Sequence, residues 1–130
     1  MSLFHRLNTM VLARVQERAG EAAVQSVEAC GPSLLLHLSS GEREMLDVRR
    51  LNHAAAMKLD VHGGTVITLL LEFDAPPRFV QLPETCQGWQ DACAALDEVP
   101  GSLPHSEWYP RLMIRADAAQ ICIWPASSAR

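Results

Sequence analysis

The stretch "ETCQGWQDACAALDEVPG", residues 84–101, decides what kind of fold this chain adopts. At about 100° per residue its apolar side chains fall within an arc of about 120°, which is typical of an amphipathic helix. Thr85 is a suitable N-cap, and Pro100 with Gly101 ends the pattern. We therefore predict a helix near residues 86–98 that packs on the rest of the domain. The residues in the arc are Cys86, Trp89, Ala92, Cys93 and Leu96.

The two cysteines of this stretch raise the question of a thiol site. On a helix Cys86 and Cys93 are separated by a rise of about 10.5 Å, beyond the Cα separation of about 7 Å that a disulfide tolerates. Their spacing is also not the Cys-x-x-Cys of redox couples and zinc sites. We expect Cys86, Trp89, Cys93 and Leu96 all to be buried, with both thiols unpaired and serving as small hydrophobic residues.

Before the predicted helix, the sequence from Ala22 to Leu82 has a period of two, which indicates an antiparallel meander. Tight turns are expected at Gly31-Pro32, at Ser39–Glu42 and at Gly63-Gly64, and Pro83 ends the last strand of the run. Including a final strand near the C-terminus, we predict six to seven strands that form a curved sheet or a partly open barrel.

Two segments within this run predict how the sheet is covered. The segment "TVITLLLEF" at 65–73 is apolar on both faces as far as Leu70, as expected for a strand covered on both sides. The strand before it alternates, which predicts one dry face and one wet face. The dry set is Ala55, Met57, Leu59 and Val61, and the wet set is Ala56, Lys58, Asp60 and His62.

Both ends of the chain add elements to the same single domain, residues 1–130. An amphipathic helix is predicted over about 3–19, docked on the sheet rather than on a membrane surface, which would need lysines on the polar face. After the central helix, a C-terminal loop and strand are expected over about 101–124, with the strand at Ala119–Trp124. The apolar stripe of the first helix is Leu3, Phe4, Leu7, Met10, Val11 and Val15.

Composition excludes several classes of function. With 130 residues and 48% hydrophobic content, the chain is long and apolar enough to fold without disulfides, so its four cysteines indicate a reduced, cytoplasmic protein. Its longest apolar run is about half of what a membrane helix needs. The net charge of −4, with its few basic residues spread along the chain, argues against nucleic acid and anionic membranes as partners.

Two small groups of residues are the candidates for an interaction site. Arg49 and Arg50 follow a strand and precede His53, so their side chains are candidates for recognising an anion or a carboxylate; the alternative is a pair of ordinary surface arginines. Trp108 and Tyr109 are either an exposed aromatic anchor for a partner or a lock that holds the C-terminal loop on the sheet. No motif specifies a catalytic, cofactor or metal site, so an enzyme is not favoured.

The strand meander, the proline-terminated strand "RFVQLPET" and the helix "GWQDACAALDEV" resemble the bacterial pleckstrin-homology-like (PH-like) domains of unknown function. The resemblance covers about residues 22–100, and it implies two near-orthogonal antiparallel sheets closed at one end by the helix. Lipid-binding members hold phosphates with basic residues of the first hairpin. The corresponding turn here, "EACGPSLL", has neither Lys nor Arg, so the resemblance does not extend to phosphoinositide binding.

Three hypotheses for function follow from these patterns. The preferred one is a non-enzymatic α+β module that acts through protein contacts, with another protein or with a second copy of itself. The second is a small-ligand-binding protein or enzyme with a pocket between the sheet and the helix near 86–98. The third is a secretion chaperone or an immunity-type protein, suggested by a small acidic domain with a leading amphipathic helix.

Overall fold

The computed structural model describes residues 23–61, 64–74, 77–115 and 119–125. Over these residues the chain is an α+β structure of seven strands and two helices. The strands are β1 Val24–Cys30, β2 Ser33–Leu38, β3 Arg43–Asp47, β4 Leu51–Val61, β5 Gly64–Phe73, β6 Arg78–Pro83 and β7 Ala119–Trp124, and the helices are α1 Trp89–Asp97 and α2 His105–Met113. A short 3-10 turn, Val48–Arg50, joins β3 to β4.

The strands form two antiparallel sheets that follow the predicted meander. The first sheet has the order β1-β2-β3 and the second the order β6-β5-β4-β7. The predicted turn at Gly31-Pro32 is confirmed, with Gly31 at a φ of 61° between β1 and β2. β6 ends at Pro83 as predicted. The described strands form two separate sheets and no closed barrel.

Helix α1 covers the strands as the sequence predicts. Cys86, Trp89, Cys93 and Leu96 are all buried, and both cysteines are free. The Trp89 indole Nε1 donates to the carbonyl of Leu82 at 2.9 Å, which fixes the helix against the end of β6.

The start of α1 differs from the prediction, because the helix begins at Trp89 and its N-cap is Gly88 instead of Thr85. Gly88 has a φ of +87°, and a Cβ there would lie 1.9 Å from the carbonyl oxygen of Val27. The backbone of β1 therefore approaches α1 so closely that only glycine fits at this position.

Helix α2 occupies the region where we expected a loop, so that part of the prediction is wrong. Pro104 is its N-cap and Pro110 lies inside it. Proline fits before the first turn, but inside a helix it removes one hydrogen bond. Trp108 and Leu112 are each 1% exposed, and burial of these two side chains offsets that loss.

The faces of β4 also differ from the prediction. Residues 54–58 are all buried, so this strand is covered on both sides, as β5 is. Ala56 and Lys58, which the alternation placed on a wet face, lie on the buried side that faces the helices. The Lys58 ammonium donates to the carbonyls of Met113 and Arg115 at the end of α2. A lysine is stable there because these carbonyls have no partner within the helix, and the helix dipole favours a positive charge at this end.

An ion pair joins the two sheets at one edge. The Arg78 guanidinium, on β6, donates to both carboxylate oxygens of Glu44, on β3, with an Nη2 to Oε1 distance of 2.8 Å. Both side chains are largely shielded from solvent. This bidentate geometry fixes the orientation of β3 relative to β6.

The predicted N-terminal helix over 3–19 lies outside the described residues. Among the residues that are described, no helix has the length and apolar character needed to cross a lipid bilayer.

Candidate functional site: an apolar cleft at the end of α1

A cleft of about 590 Å³ opens at the C-terminal end of α1. Four separate parts of the chain line it: the turn between β1 and β2, the 3-10 turn with the start of β4, the end of α1, and the last residue of β7. The lining residues are Gly31, Pro32, Val48, Arg49, Leu51, Ala95, Glu98, Val99, Pro100 and Trp124. The fold thus brings together residues that are up to ninety-three positions apart, from 31 to 124.

Hydrogen bonds to backbone carbonyls hold the walls of the cleft in place. Val48 N donates to the carbonyl of Pro32 at 2.9 Å, which ties the 3-10 turn to the β1–β2 turn. On the opposite side the Trp124 indole Nε1 donates to the carbonyl of Pro100 at 3.1 Å. The indole is therefore fixed as one wall, and the cleft does not depend on a free side chain for its shape.

The charge at the rim is mostly neutralised. The Arg49 guanidinium donates to both oxygens of Asp47, at 2.8 Å from Nη2 to Oδ2, and Arg49 N donates to Oδ1 at 2.9 Å. Hydrogen bonds from Arg49 lower the pKa of Asp47 to about 2, and the same pair raises the pKa of Arg49. Glu98 is the other charged residue of the lining. The rim therefore offers little net charge to a ligand.

The chemistry of the lining favours binding over catalysis. Seven of the ten lining residues are apolar, and none is Ser, Thr, Cys, His or Lys, so the lining has no side-chain nucleophile with a base beside it. Throughout the described ranges, no group of three or more His, Cys, Asp or Glu side chains is placed to hold a metal ion. What the cleft can do is bury an apolar group of moderate size.

Of the residues that the sequence singled out, the structure places Arg49 at this cleft. Arg50 lies beside it in the 3-10 turn but does not line the cleft. His53 lies on β4, where its Nε2 is 3.6 Å from the Cys122 sulfur. The three side chains therefore do not form the single recognition site that their order in the sequence suggested.

His53 and Cys122 form a contact that sequence reasoning missed, since the two residues are 69 positions apart. Burial lowers the pKa of His53 and raises the pKa of the Cys122 thiol. The thiol donates to the carbonyl of Pro125 at 3.1 Å, which also favours its protonated form. A nucleophilic cysteine needs a thiolate, and both pKa shifts favour the neutral, unreactive form of each group.

Trp108 and Tyr109 lie in α2, where they take part in an aromatic cluster with Trp89 and His105. Ring centroids lie 6.2 Å apart for Trp89 and Trp108, and 4.9 Å apart for His105 and Trp108. The Tyr109 hydroxyl donates to Glu84 Oε2 at 3.2 Å. The sequence left two interpretations of Trp108, an exposed anchor for a partner or a lock that holds this segment on the sheet. Since Trp108 is buried, the structure favours the lock.

The cleft residues that the sequence did not single out include Val99 and Trp124. Val99 falls just after the last turn of α1, and Trp124 ends β7, so neither belongs to a recognisable motif. They meet at the cleft only because the fold places them there. Comparison with known proteins adds no further guide, since no family model, curated protein or solved structure matches this chain.

Proposed function

We propose that this protein is a non-enzymatic binding module whose apolar cleft receives hydrophobic side chains of a protein partner. The observation that carries this proposal is the lining itself: apolar residues around a fixed indole, with the one arginine already paired to Asp47. Apolar pockets that accept an aromatic or aliphatic side chain are where the binding energy of protein interfaces concentrates.

The form of the cleft also supports a protein partner. Its walls are two turns, a helix end and the Trp124 indole, and it is open to solvent instead of being an enclosed cavity. A partner can therefore insert a side chain while its backbone stays outside. Val99 and Trp124 are half-buried, so part of each is available to such a side chain.

A small apolar molecule is a second candidate ligand, and the volume of the cleft favours it. About 590 Å³ lies within the range of roughly 300–1,000 Å³ typical of small-molecule sites.

The resemblance to PH-like domains supports the first proposal, a protein partner, because that scaffold is used for many kinds of protein contact. Two antiparallel sheets packed by helices support the resemblance at the level of architecture.

The test is a selection of peptides from a displayed library against the full chain, followed by binding measurements with two matched variants. Val99→Lys places a charge at the cleft, and Ala94→Lys places the same charge on the exposed side of α1. We expect selected peptides to be rich in aromatic or aliphatic residues, and we expect Val99→Lys to weaken their binding about tenfold or more, because the cleft would have to bury an unpaired ammonium. Ala94→Lys should bind within about twofold of the unaltered chain.

Two results would count against the protein-partner proposal. One is the absence of any selected peptide together with binding of small apolar fragments that shift the NMR signal of the Trp124 indole, which would favour the second candidate. The other is a set of peptides whose binding both lysine variants leave unchanged, which would place the binding surface away from the cleft.

A further inference from the structure

The four-stranded sheet has a second apolar side, here called the outer face, which points away from the three-stranded sheet and the helices. Its apolar side chains are Ala55, Met57, Leu59, Leu70 and Phe79. Four of them, all except Leu59, are at most 3% exposed. Cys122 lies on the same face, because it is the cross-strand partner of Ala55. Cys122 is also buried.

No described element covers the outer face. Every buried residue of α1 and of α2 belongs to the core on the inner side of the sheet, and the outer cluster contains only strand residues among those described. Side chains that are almost inaccessible to solvent nevertheless require atoms above them. The outer face therefore requires a cover that the described helices do not supply.

The length of the remaining segments identifies the cover. Outside the described ranges lie residues 1–22 and four short pieces of two to five residues, 62–63, 75–76, 116–118 and 126–130. Four strands span about 14 Å across a sheet, and a helix over residues 3–19 is about 25 Å long, whereas five residues cannot cover such a face.

We propose that residues 1–22 dock on the outer face, with the apolar stripe of Leu3, Phe4, Leu7, Met10, Val11 and Val15 against Met57, Leu70 and Phe79. The period of this stripe matches a helix with one apolar side, and an apolar sheet face is what such a side needs to bury. The outer face is thus an interaction surface whose partner is the protein's own N-terminal segment. This inference is independent of the cleft.

A buried amide on the same face supports the proposal. Gln120 is the cross-strand partner of Met57, so its side chain lies on the outer face. Both its Oε1 and its Nε2 are buried, and neither has a hydrogen-bond partner among the described residues. Buried amides are rarely left unpaired, because losing water without a replacement costs free energy. A cover that brings a polar group to this face would satisfy the amide.

The test uses Cys122 as a reporter of whether the face is covered. The full chain is treated with N-ethylmaleimide, and labelling of each cysteine is followed by mass spectrometry. Met10→Glu places a carboxylate inside the stripe, and Thr9→Glu places the same charge on the opposite side of the predicted helix. We expect Met10→Glu to speed labelling of Cys122 by about tenfold or more, and Thr9→Glu to leave it within about twofold.

Two other cysteines serve as internal standards. Cys93 lies in the inner core and should stay protected in both variants, and the exposed Cys30 should label rapidly in all of them. Met10→Glu could also speed labelling of Cys93, which would indicate a general loss of folding. In that case the milder Met10→Ala is used, and the proposal expects the ratio of Cys122 labelling to Cys93 labelling to rise in it.

The proposal is overturned if that ratio keeps the value of the unaltered chain in both Met10 variants. It is also overturned if labelling of Cys122 in the unaltered chain slows as the protein concentration rises. In that case a second copy, and not the N-terminal segment, would cover the outer face.

Discussion

The two ends of α1 differ sharply in how they are packed. At its N-terminal end Trp89 contacts Trp108, Tyr109 and His105 in an aromatic cluster, and Gly88 lets the backbone of β1 approach closely. At its C-terminal end the same helix leaves the cleft of about 590 Å³ between Val99 and Trp124. We call these the closed end and the open end of α1.

This difference shows where the fold draws its stability and where it has room for a partner. Large aromatic residues bury the most apolar area per side chain, and three of them meet at the closed end. At the open end the one large aromatic residue, Trp124, is only half-buried, and the other apolar side chains are smaller. Substitutions at the closed end should therefore reduce stability, whereas those at the open end should act mainly on binding.

The largest expected effect comes from replacing a tryptophan by alanine at each of the two ends. Trp108→Ala leaves a cavity in a site that is 1% exposed, so the free energy of unfolding should fall by about 3–5 kcal/mol. Trp124→Ala removes a half-buried side chain and should cost clearly less. Denaturation in urea, monitored by circular dichroism, measures both. An equal loss for the two variants would show that the open end carries as much of the packing energy.

Two glycines at the opposite ends of α1 give a second, smaller contrast. Gly101→Ala, at the open end, introduces only backbone strain from the φ of +85°. It causes no clash, because the nearest atom would be 3.9 Å from the new Cβ. That strain costs about 1–2 kcal/mol. Gly88→Ala has a similar φ and in addition a clash with the carbonyl of Val27, so it should lower the free energy of unfolding further.

The same denaturation experiment separates strain from close approach. If Gly88→Ala is no more destabilising than Gly101→Ala, the contact between β1 and α1 relaxes without cost, and the closed end is less rigid than its packing indicates.

The closed end was partly predictable from the sequence, and the open end was not. The spacing of Trp89, Cys93 and Leu96 predicts their burial because period alone determines which side of a helix is apolar, whereas Cys86 is buried but lies before the first turn of α1. Helix α2 was missed because Pro104 and Pro110 indicate a loop, while the burial that outweighs them depends on tertiary contacts of Trp108.

Two other features depended on tertiary structure in the same way. The alternation in β4 predicted a solvent-exposed Lys58, and this prediction was wrong. The Lys58 side chain donates to carbonyls at the end of α2, a contact that the local sequence does not reveal. The cleft is lined by residues as far apart in sequence as Pro32 and Trp124, and no sequence spacing predicts that they lie close together in the fold.

The smallest expected effect concerns charge at the rim of the open end. Asp47 has its pKa lowered to about 2 from 3.8, chiefly by the hydrogen bonds from Arg49. A carboxyl whose pKa is lowered by folding stabilises the folded state above its unfolded pKa. That contribution is lost as the pH falls from about 4 towards 2. Since the Asp47 carboxyl is exposed to solvent, we expect the free energy of unfolding to change only slightly over this pH range.

A direct NMR titration of the Asp47 carboxyl tests the assignment. In Arg49→Gln the midpoint should rise towards 3.8 without reaching it, because the backbone N–H of residue 49 still donates to Oδ1. Arg50→Gln is the matched control and should move the midpoint less, since Arg50 acts on Asp47 only through its charge. If the two variants shift the midpoint equally, general positive charge rather than the Arg49 pair sets this pKa, and the rim of the cleft is then less neutral than its geometry indicates.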